Sequence, residues 1–309
     1  MIYTVTLNPA IDKTVVIDRF APGKVNRIST LRTDPGGKGI NVSKCLKQLG
    51  TESVAAVLLA GASGDQLEVM LTNTGIQTLS VRIPGTTRTN LKIVDPVLGQ
   101  NTDINEPGPA VPPEKLEDLK EKILCKLNAD DLVILSGSLP TGTGPELYRE
   151  WIRAFRDAGA RVFLDADGNA LSLGIEASPW LVKPNDEELA RLMCAEKLCQ
   201  PQILYAARKL LAQGIRQVVV SLGAEGAIFV SPEGAWQARG LKVPVRSTVG
   251  AGDAMVAAMA QGIQSGLDQE EQIRLAMAMG AASVMEDGTQ APDPETVREL
   301  AAKVEITAL

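Results

Sequence analysis

The sequence predicts an α/β protein whose mostly parallel sheet is covered by helices on both faces, with a small second sheet beside it. From about residue 130 onward, short apolar runs alternate with helical stretches, a pattern typical of parallel strands buried on both faces. The first hundred residues instead hold short, partly alternating strands broken by Pro-Gly and Gly-Thr turns, and such alternation indicates one solvated face. The 309 residues are enough for one large domain or for one domain plus a small one, and we expect a single domain over 1–309.

The N-terminal part is expected to supply the first strand of the main sheet over 2–7 and a helix over 38–49. Two groups of short strands flank that helix, drawn from about 12–34 and 79–105. The individual strands are expected at 14–18, 25–32, 79–83 and 90–95. Because they lie outside the alternating α/β region, we interpret them as a β-sheet lid or an oligomer surface.

The remaining elements are expected to build the main sheet. Strands are expected at 131–135, 161–164, 180–182 and 217–221, and helices at 145–158, 187–193 and 202–213. Parallel sheets bind ligands at the carboxyl ends of their strands. Polar residues that directly follow these strands are therefore the first candidates for a site.

Composition excludes several classes of function. A net charge of −6 and a pI near 5.0 argue against a broad nucleic-acid interface. The chain has no histidine, which removes serine and cysteine triads and histidine-based zinc chemistry. Its four scattered cysteines predict neither disulfides nor a zinc site. No signal peptide or membrane span is apparent, so we expect a cytoplasmic protein with no membrane partner.

The stretch 245–259 is the most informative motif. Gly250, Ala251 and Gly252 precede Asp253 and a helix-forming run, and glycines before a helix let backbone N–H groups converge on an anion. If that anion is a phosphoryl group, Asp253 suits the role of base, since its ordinary pKa of about 3.9 leaves it ionised. A simple glycine turn capped by Asp253 explains the same residues equally well.

A second glycine-rich turn, 35–42, places Lys38 at the start of a helix. This position suits a phosphate or a polar sugar, although a solvated lysine in an ordinary turn is the alternative. Asp12, after the first strand, suits sugar hydroxyls or a turn. Lys24, Arg27 and Arg88 lie in the expected lid strands and are candidate phosphate ligands, with solvated side chains as the alternative.

Three further motifs follow strands of the main sheet. Asn185 and Glu188 match a helix-capping pair, and they also suit a magnesium ion held through water. The segment 221–226 predicts either a tight hairpin turn or a loop over nucleotide phosphates. Asp165 and Asp167 are turn residues or polar groups lining the crevice.

Six of these stretches, in this order, resemble the ribokinase-like (pfkB) carbohydrate kinases. They are Thr6-Leu-Asn-Pro-Ala-Ile-Asp12, Pro35-Gly-Gly-Lys-Gly-Ile-Asn-Val-Ser43, Ser136-Gly-Ser-Leu-Pro140, Lys183-Pro-Asn185, Ser221-Leu-Gly223 and Ser247-Thr-Val-Gly-Ala-Gly-Asp253. The resemblance covers essentially the whole chain. It implies a ribokinase-like three-layer α/β/α domain with a β-sheet lid, acting as a kinase that uses ATP and Mg²⁺.

The resemblance also assigns roles to residues. It implies Asp253 as the catalytic base, with an anion hole formed by Gly250, Ala251 and Gly252. On the ATP side it implies Lys183, Asn185, Ser221, Gly223, Gly226 and Thr248. On the sugar-phosphate side it implies Asp12, Lys24, Arg27, Gly37, Lys38, Asn41, Arg88, Asn90 and Ser136. Asn185 and Glu188 match the magnesium motif, with contact through water.

Within the family the chain is most similar to the branch that phosphorylates hexose phosphates. Lys38 favours the kinases of fructose 1-phosphate and of tagatose 6-phosphate over that of fructose 6-phosphate. The stretches 40–43 and 102–105 favour fructose 1-phosphate, which implies fructose 1,6-bisphosphate as product. Tagatose 6-phosphate and fructose 6-phosphate are the alternative acceptors, and a non-catalytic sugar-phosphate sensor is the alternative of a different class. The expected partner is a small-molecule sugar phosphate, and the interpretation of the small strands as a lid or an oligomer surface adds a homodimer through the lid.

Overall fold

The computed structural model describes residues 1–309 and contains two β-sheets, one of ten strands and one of four. The strands, in chain order, are β1 (Ile2–Thr6), β2 (Ala10–Val16), β3 (Thr30–Gly36), β4 (Val54–Ala60), β5 (Gln77–Ile83), β6 (Arg88–Asp95), β7 (Gln100–Asn105), β8 (Leu132–Ser136), β9 (Arg161–Asp165), β10 (Leu181–Val182), β11 (Gln217–Ser221), β12 (Gly226–Ser231), β13 (Gly234–Arg239) and β14 (Ile306–Ala308).

Ten α-helices connect and cover these strands. They are α1 (Lys38–Gln48), α2 (Gly61–Asn73), α3 (Pro113–Leu124), α4 (Leu147–Asp157), α5 (Gly168–Ile175), α6 (Asp186–Leu192), α7 (Gln200–Ala212), α8 (Ala251–Gln264), α9 (Gln269–Ser283) and α10 (Pro294–Ala301). None of them combines the length and the hydropathy that a membrane crossing requires.

The large sheet is parallel over seven strands and antiparallel at one edge. Its order is β14-β13-β12-β11-β10-β9-β8-β1-β4-β5. The strands from β5 to β11 pair in parallel, whereas β12, β13 and β14 are added by antiparallel pairing. All seven parallel strands therefore end on the same edge of the sheet, where the predicted site residues follow them.

Alternate residues of single strands enter two different cores. In β8, Val133 and Leu135 pack in the core that α3, α4, α5 and α7 cover, whereas Leu132 and Ile134 pack against α1, α8 and α9. Since side chains alternate across a strand, a strand that is apolar at every position must be covered on both faces. The predicted three-layer α/β/α arrangement is confirmed.

The small sheet has the order β3-β2-β6-β7. Val15, Ile17 and Ile93 form a minor apolar cluster on it, with Phe20 and Leu91 packed against them. The predicted small separate sheet is therefore present. Asp12 on β2 lies between Asp34 on β3 and Asn90 on β6, so the sheet brings polar side chains of distant sequence positions together.

Two of the expected lid strands are placed differently in the structure. The stretch 79–83 lies in β5 and pairs in parallel with β4 in the large sheet, with Val81 and Ile83 in the main core. β5 is an edge strand whose other residues are partly exposed, and this produces the alternation that indicated a lid. In the stretch 25–32, a strand begins only at Thr30, because Asn26 holds a loop by bonding both the N–H and the carbonyl of Ala21.

Candidate active site

Polar side chains from five neighbouring parallel strands gather at one edge of the large sheet. Asn8 follows β1, Ser136 ends β8, Asp165 ends β9, Lys183 follows β10 and Ser221 ends β11. The N-termini of α1 and α8 are directed to the same edge, because residues at the start of both helices line one cavity there. The carboxyl ends of the strands therefore form the candidate site, as expected for an open parallel sheet.

The N-terminus of α8 has free backbone donors. Gly250 takes the left-handed conformation, with φ of 90°, which glycine adopts without strain. The first backbone hydrogen bond of this turn runs from the N–H of Ala254 to the carbonyl of Gly250, at 2.8 Å. The N–H groups of Ala251, Gly252 and Asp253 therefore have no backbone acceptor, and together with the helix dipole they form an anion-binding site.

Asp253 is buried in the first turn of this helix, with 5% of its surface exposed. The side-chain amide of Asn41 on α1 donates to its Oδ2 at 2.9 Å. Burial, reinforced by the negative charge of Asp165, raises the pKa of Asp253 to about 6, although Lys38, Asn41 and Lys183 oppose the rise. The ordinary value assumed from the sequence is thus too low, but roughly nine-tenths of the carboxyl is still ionised at pH 7.

Asp165 joins two lysines that the sequence places far apart. Its carboxylate lies 3.5 Å from Lys38 Nζ and 3.3 Å from Lys183 Nζ. Burial alone would raise the pKa of Asp165, but the two ammonium groups outweigh burial and hold this pKa below its usual range. Asp165 in turn raises the pKa of Lys38. The sequence left Asp165 unassigned, since a carboxylate after a strand is equally compatible with a turn.

Lys183 brings positive charge to the anion-binding site. A Cβ built on Gly252 would lie 3.0 Å from Lys183 Nζ, so the ammonium group rests against the start of α8. A larger residue at position 252 would push it away. Glycine at this position thus lets a buried cation and the free N–H groups face the same point.

A polar cavity of about 450 Å³ opens beside Asp253. It is lined by most of the residues predicted for a sugar phosphate, namely Asp12, Gly37, Lys38, Asn41, Arg88, Asn90 and Ser136. Four buried polar atoms on its wall have no hydrogen-bond partner: Thr6 Oγ1, Asn41 Oδ1, Asn90 Oδ1 and Ser136 Oγ. Buried polar atoms are normally satisfied, so this wall fits a ligand with several hydroxyl groups.

At the small-sheet end of this cavity, Asn90 Nδ2 donates to Asp12 Oδ1 at 2.9 Å, and burial raises the pKa of Asp12. Arg88 donates to the carbonyls of Asn8 and Glu106 and forms no ion pair with a carboxylate. Its charge is therefore available to an anion. Arg88 also lines a more open cavity of about 510 Å³ on its other side.

A second, largely apolar cavity of about 480 Å³ lies on the other side of the α8 N-terminus. Nine of its 19 lining residues are hydrophobic, among them Val243, Met255 and Met277, so it suits a flat, weakly polar group. Its polar wall includes the predicted ATP-side residues Asn185, Ser221, Gly223, Gly226 and Thr248. Lys183, also predicted for ATP, lines the polar cavity instead.

The segment 221–226 is a hairpin turn. A 3₁₀ turn over Gly223–Glu225 joins β11 to the antiparallel β12. Gly226 has φ of 107° and leaves no room for a Cβ against the carbonyl of Ala238. Because the turn also forms a wall of the apolar cavity, the two interpretations made from the sequence describe the same loop.

The two cavities meet at Gly252. This residue lines both of them, whereas Ala251 lines only the apolar cavity and Asp253 only the polar one. A ligand in each cavity would thus reach the same anion-binding N–H groups from opposite sides. The arrangement permits a small anionic group to pass from one ligand to the other without leaving the helix N-terminus.

Asn185 and Glu188 form a capping box at the start of α6. Asn185 Oδ1 accepts from the N–H of Glu188 at 2.7 Å, and Glu188 Oε2 accepts from the N–H of Asn185 at 2.8 Å. The other carboxylate oxygen of Glu188 has no hydrogen-bond partner. No group of three or more acidic, cysteine or histidine side chains forms a metal cage anywhere in the structure.

Lys24, Arg27 and Glu188 are the predicted site residues that line neither the polar nor the apolar cavity. Glu188 lies on α6 next to Glu187, which lines the apolar cavity, whereas Lys24 and Arg27 lie exposed in the loop between β2 and β3. Conversely, the sequence missed Lys44, whose buried ammonium group donates to the carbonyl of Pro35 and to Thr289 Oγ1. Its neighbour Thr289 lines the polar cavity. Neither position belongs to a motif that would have revealed it.

Comparison with known proteins gives a consistent result. A sequence model of the pfkB family carbohydrate kinases matches residues 5–296. The 1-phosphofructokinase of Rhodobacter capsulatus is 42% identical over 311 residues, covering 100% of this chain and 98% of the relative. The 1-phosphofructokinase of Escherichia coli (strain K12) is 36% identical over 304 residues, covering 98% and 97%.

Solved structures show the same similarity. The crystal structure of phosphofructokinase-2 from Escherichia coli in complex with substrates and products superposes with a TM-score of 0.93 at 31% sequence identity. The match covers 98% of each chain, so it includes both the large sheet and the small one.

Asp165→Asn tests the buried charge cluster. The substitution leaves two ammonium groups without their shared counter-ion. The partly exposed ammonium group of Lys38 can be hydrated instead, whereas the buried one of Lys183 cannot. We expect the free energy of unfolding, measured in urea, to fall by about 3 kcal/mol. The control is Asp130→Asn, which removes an exposed carboxylate from Arg161 and is expected to leave the urea midpoint almost unchanged. Equal midpoints for the two variants would contradict the shared role of Asp165.

Proposed function

The chain belongs to the pfkB family of carbohydrate kinases, and we propose that it transfers the γ-phosphoryl group of ATP to the free primary hydroxyl of a ketohexose monophosphate. Fructose 1-phosphate is the acceptor that the proposal favours, with fructose 1,6-bisphosphate as product. The enzyme is a phosphotransferase with an alcohol acceptor.

The main support for this proposal is that the two cavities meet at Gly252. The apolar cavity suits the base of a nucleotide, and the polar cavity suits a sugar phosphate. The phosphoryl group that they exchange must lie where both reach the free N–H groups of α8. A non-catalytic sugar-phosphate sensor would need the polar cavity alone. Neither Asp253 nor a second cavity beside the same N–H groups has a use in a sensor.

The preference for fructose 1-phosphate rests on relatives and on charge. Proteins named 1-phosphofructokinase are 33–42% identical to this chain over nearly its full length, compared with 31% for phosphofructokinase-2 of Escherichia coli. Lys38 and Arg88 give the polar cavity cations near its two ends. Tagatose 6-phosphate and fructose 6-phosphate stay as the alternative acceptors.

Asp253 is the proposed base. Its carboxylate lines the polar cavity, and the Asn41 amide fixes one oxygen, leaving the other for the acceptor hydroxyl. As the new P–O bond forms, the hydroxyl proton passes to Asp253 while the bond to the nucleotide's leaving oxygen breaks. A pKa of about 6 lies closer to working pH than an ordinary aspartate, which favours proton transfer without much loss of the ionised form.

Charge on the migrating phosphoryl group is stabilised by preorganised donors. We assign this role to the N–H groups of Ala251, Gly252 and Asp253, with the Lys183 ammonium against Gly252. Phosphoryl transfer needs little more than positioning and such electrostatic stabilisation. Asp165 keeps Lys183 and Lys38 in place, and both lysines lower the pKa of Asp253, opposing the rise that burial and Asp165 cause.

The proposal includes Mg²⁺, which would arrive with the nucleotide. The free carboxylate oxygen of Glu188 and the helix-capping Asn185 suit contact with Mg²⁺ through water, because this ion keeps several waters and needs few protein ligands. The ion would neutralise phosphate charge. The chain's own task is to hold Glu188 rigidly, which the capping box achieves.

A homodimer through the small sheet stays a prediction. It is supported by apolar side chains exposed on that sheet and its loop, namely Val25, Ile28, Leu31 and Ile104. Lys24 and Arg27 flank Val25 in this region. In a homodimer, Lys24 and Arg27 would contact a sugar phosphate only if it bound at this surface. Sedimentation velocity measures whether the chain associates.

An assay of ADP formation with three acceptors tests the proposed reaction. We expect the highest kcat/KM with fructose 1-phosphate, lower values with tagatose 6-phosphate and fructose 6-phosphate, and almost no ADP without a sugar phosphate. Discrimination should arise because a misplaced phosphate leaves Arg88 or Lys38 unpaired. ADP formation that none of the three acceptors stimulates would contradict the proposal.

The pH profile tests the base. With a carboxyl pKa of about 6, kcat/KM should be level above that pH and fall tenfold per unit below it, because only ionised Asp253 accepts the proton. Asp253→Asn is expected to lower kcat on the order of 10³-fold and to remove this dependence. Since the variant meets the same substrate ionisations, it serves as the control. A sloping profile in the variant would assign the titration to the substrates.

Arg88→Ala tests the acceptor's phosphate site. Loss of charge-assisted hydrogen bonds to phosphate should raise KM for the sugar phosphate roughly 10-fold to 100-fold, while KM for ATP stays within a factor of about two. Arg88→Lys keeps the charge, so its KM for the sugar phosphate should lie between the values of the parent and of Arg88→Ala. Equal increases in both KM values would indicate that Arg88 acts only by holding the carbonyls of Asn8 and Glu106.

A further inference from the structure

One side chain of the small sheet reaches the segment that leads into the anion-binding site. Lys92 on β6 donates from Nζ to Ser247 Oγ at 3.1 Å. It is the only side-chain hydrogen bond from this sheet to residues 240–250. The lysine side chain is 13% exposed, and Asp103, its cross-strand neighbour on β7, lies 3.9 Å from the ammonium group.

Ser247 shapes the segment that enters α8. It is buried, and its Oγ accepts from the N–H of Val249 at 3.3 Å. Its own N–H donates to the carbonyl of Val284. Gly250, the cap of α8, is the next residue after Val249. A change in the hydroxyl of Ser247 therefore alters the path of the chain directly before the free N–H groups.

The same strand also reaches the acceptor cavity. Asn90 lies two residues before Lys92, so their side chains share one face of β6. Asn90 donates to Asp12 and lines the polar cavity. A small cavity of about 160 Å³ continues from Asp12 and Asn90 past Lys92 to Val249. One strand thus lines the acceptor cavity through Asn90 and holds, through Lys92, the segment that leads into the anion-binding site.

We propose that Lys92 is a positioning residue that links binding of the acceptor to placement of the N–H groups at the start of α8. When the acceptor fixes Asn90 and Asp12, β6 is held in place, and Lys92 holds Ser247 and the turn at Gly250. Productive transfer then requires both ligands. The inference rests on the proposed kinase function and deepens it.

A lysine suits this role because its ammonium group has three donors on a flexible stem. One donor reaches Ser247, and Asp103 partly balances the charge. The link joins the small sheet to the segment between β13 and α8, to which no other side chain of that sheet donates a hydrogen bond. Lys92 acts through Ser247 and does not contact the phosphoryl group, which separates this role from that of Lys183.

The test is steady-state kinetics of the full chain with ATP and fructose 1-phosphate. Lys92→Met keeps the length of the side chain and removes its donors. Misplacement of the N–H groups should lower kcat on the order of tenfold, with both KM values within about twofold of the parent. Ser247→Ala should have the same effect, and the double variant should be no worse than either single one, since both break the same link.

Lys13→Met is the matched control. Lys13 lies on the neighbouring strand β2 and forms no hydrogen bond or ion pair, so its loss should leave kcat unchanged. Unchanged kcat in Lys92→Met, or additive losses in the double variant, would overturn the inference. So would a raised KM for fructose 1-phosphate at normal kcat, since that pattern assigns Lys92 to direct contact with the acceptor.

Amide hydrogen exchange over residues 247–253 tests the link without turnover. In Lys92→Met and Ser247→Ala this segment should exchange faster than in the parent, whereas Lys13→Met should match the parent. Equal exchange in all four proteins would overturn the inference. If the parent phosphorylates none of the three sugar phosphates, the proposed function fails, while the exchange comparison still reports on the link.

Discussion

The burial of one carboxylate beside unpaired backbone donors constrains the rest of this structure. Asp253 lies in the first turn of α8, next to three N–H groups without backbone acceptors. Burial makes its charge costly, and burial together with the negative charge of Asp165 raises the pKa of Asp253 to about 6. The amide of Asn41 and the ammonium groups of Lys38 and Lys183 oppose this rise. Asp165 in turn lies close to both ammonium groups, of which that of Lys183 is buried. The carboxylate of Asp253, which we propose as the base, and the cluster around it are therefore one electrostatic unit.

The position of that unit follows from the sheet. Parallel strands must all end on one edge, and their last residues are too polar for the core, so they collect around the start of α8. The helix N-terminus then divides the edge into an apolar and a polar cavity that share only Gly252. The buried carboxylate on the polar side and the N–H donors facing both sides are the groups to which we assign the transfer of a phosphoryl group. The small sheet completes the polar side with Asp12, Asn90 and Arg88.

The elements that the sequence predicted correctly are those with strong local signals. The expected helix at 145–158 is α4 at Leu147–Asp157, and the expected strand at 217–221 is β11. Glycine-rich turns at 35–42 and 247–253 were recognised because close approach of backbone to a ligand requires glycine. In contrast, the stretch 79–83 was assigned to the wrong sheet. Its half-exposed pattern is the same for a lid strand and for an edge strand, and only its pairing with β4 separates them.

The sequence by itself determined the fold class, the family resemblance and the residue types available for chemistry, since periodicity, glycine placement and the absence of histidine are local or compositional facts. Only the tertiary structure decided which charges share a partner. Asp165 ends one strand, Lys38 opens α1 and Lys183 follows another strand, so nothing in their spacing reveals the contact. The same holds for Lys92 and Ser247, 155 positions apart, and for the pKa of Asp253. Burial and long-range charge depend on which segments the sheet brings together, and no window of sequence contains that information.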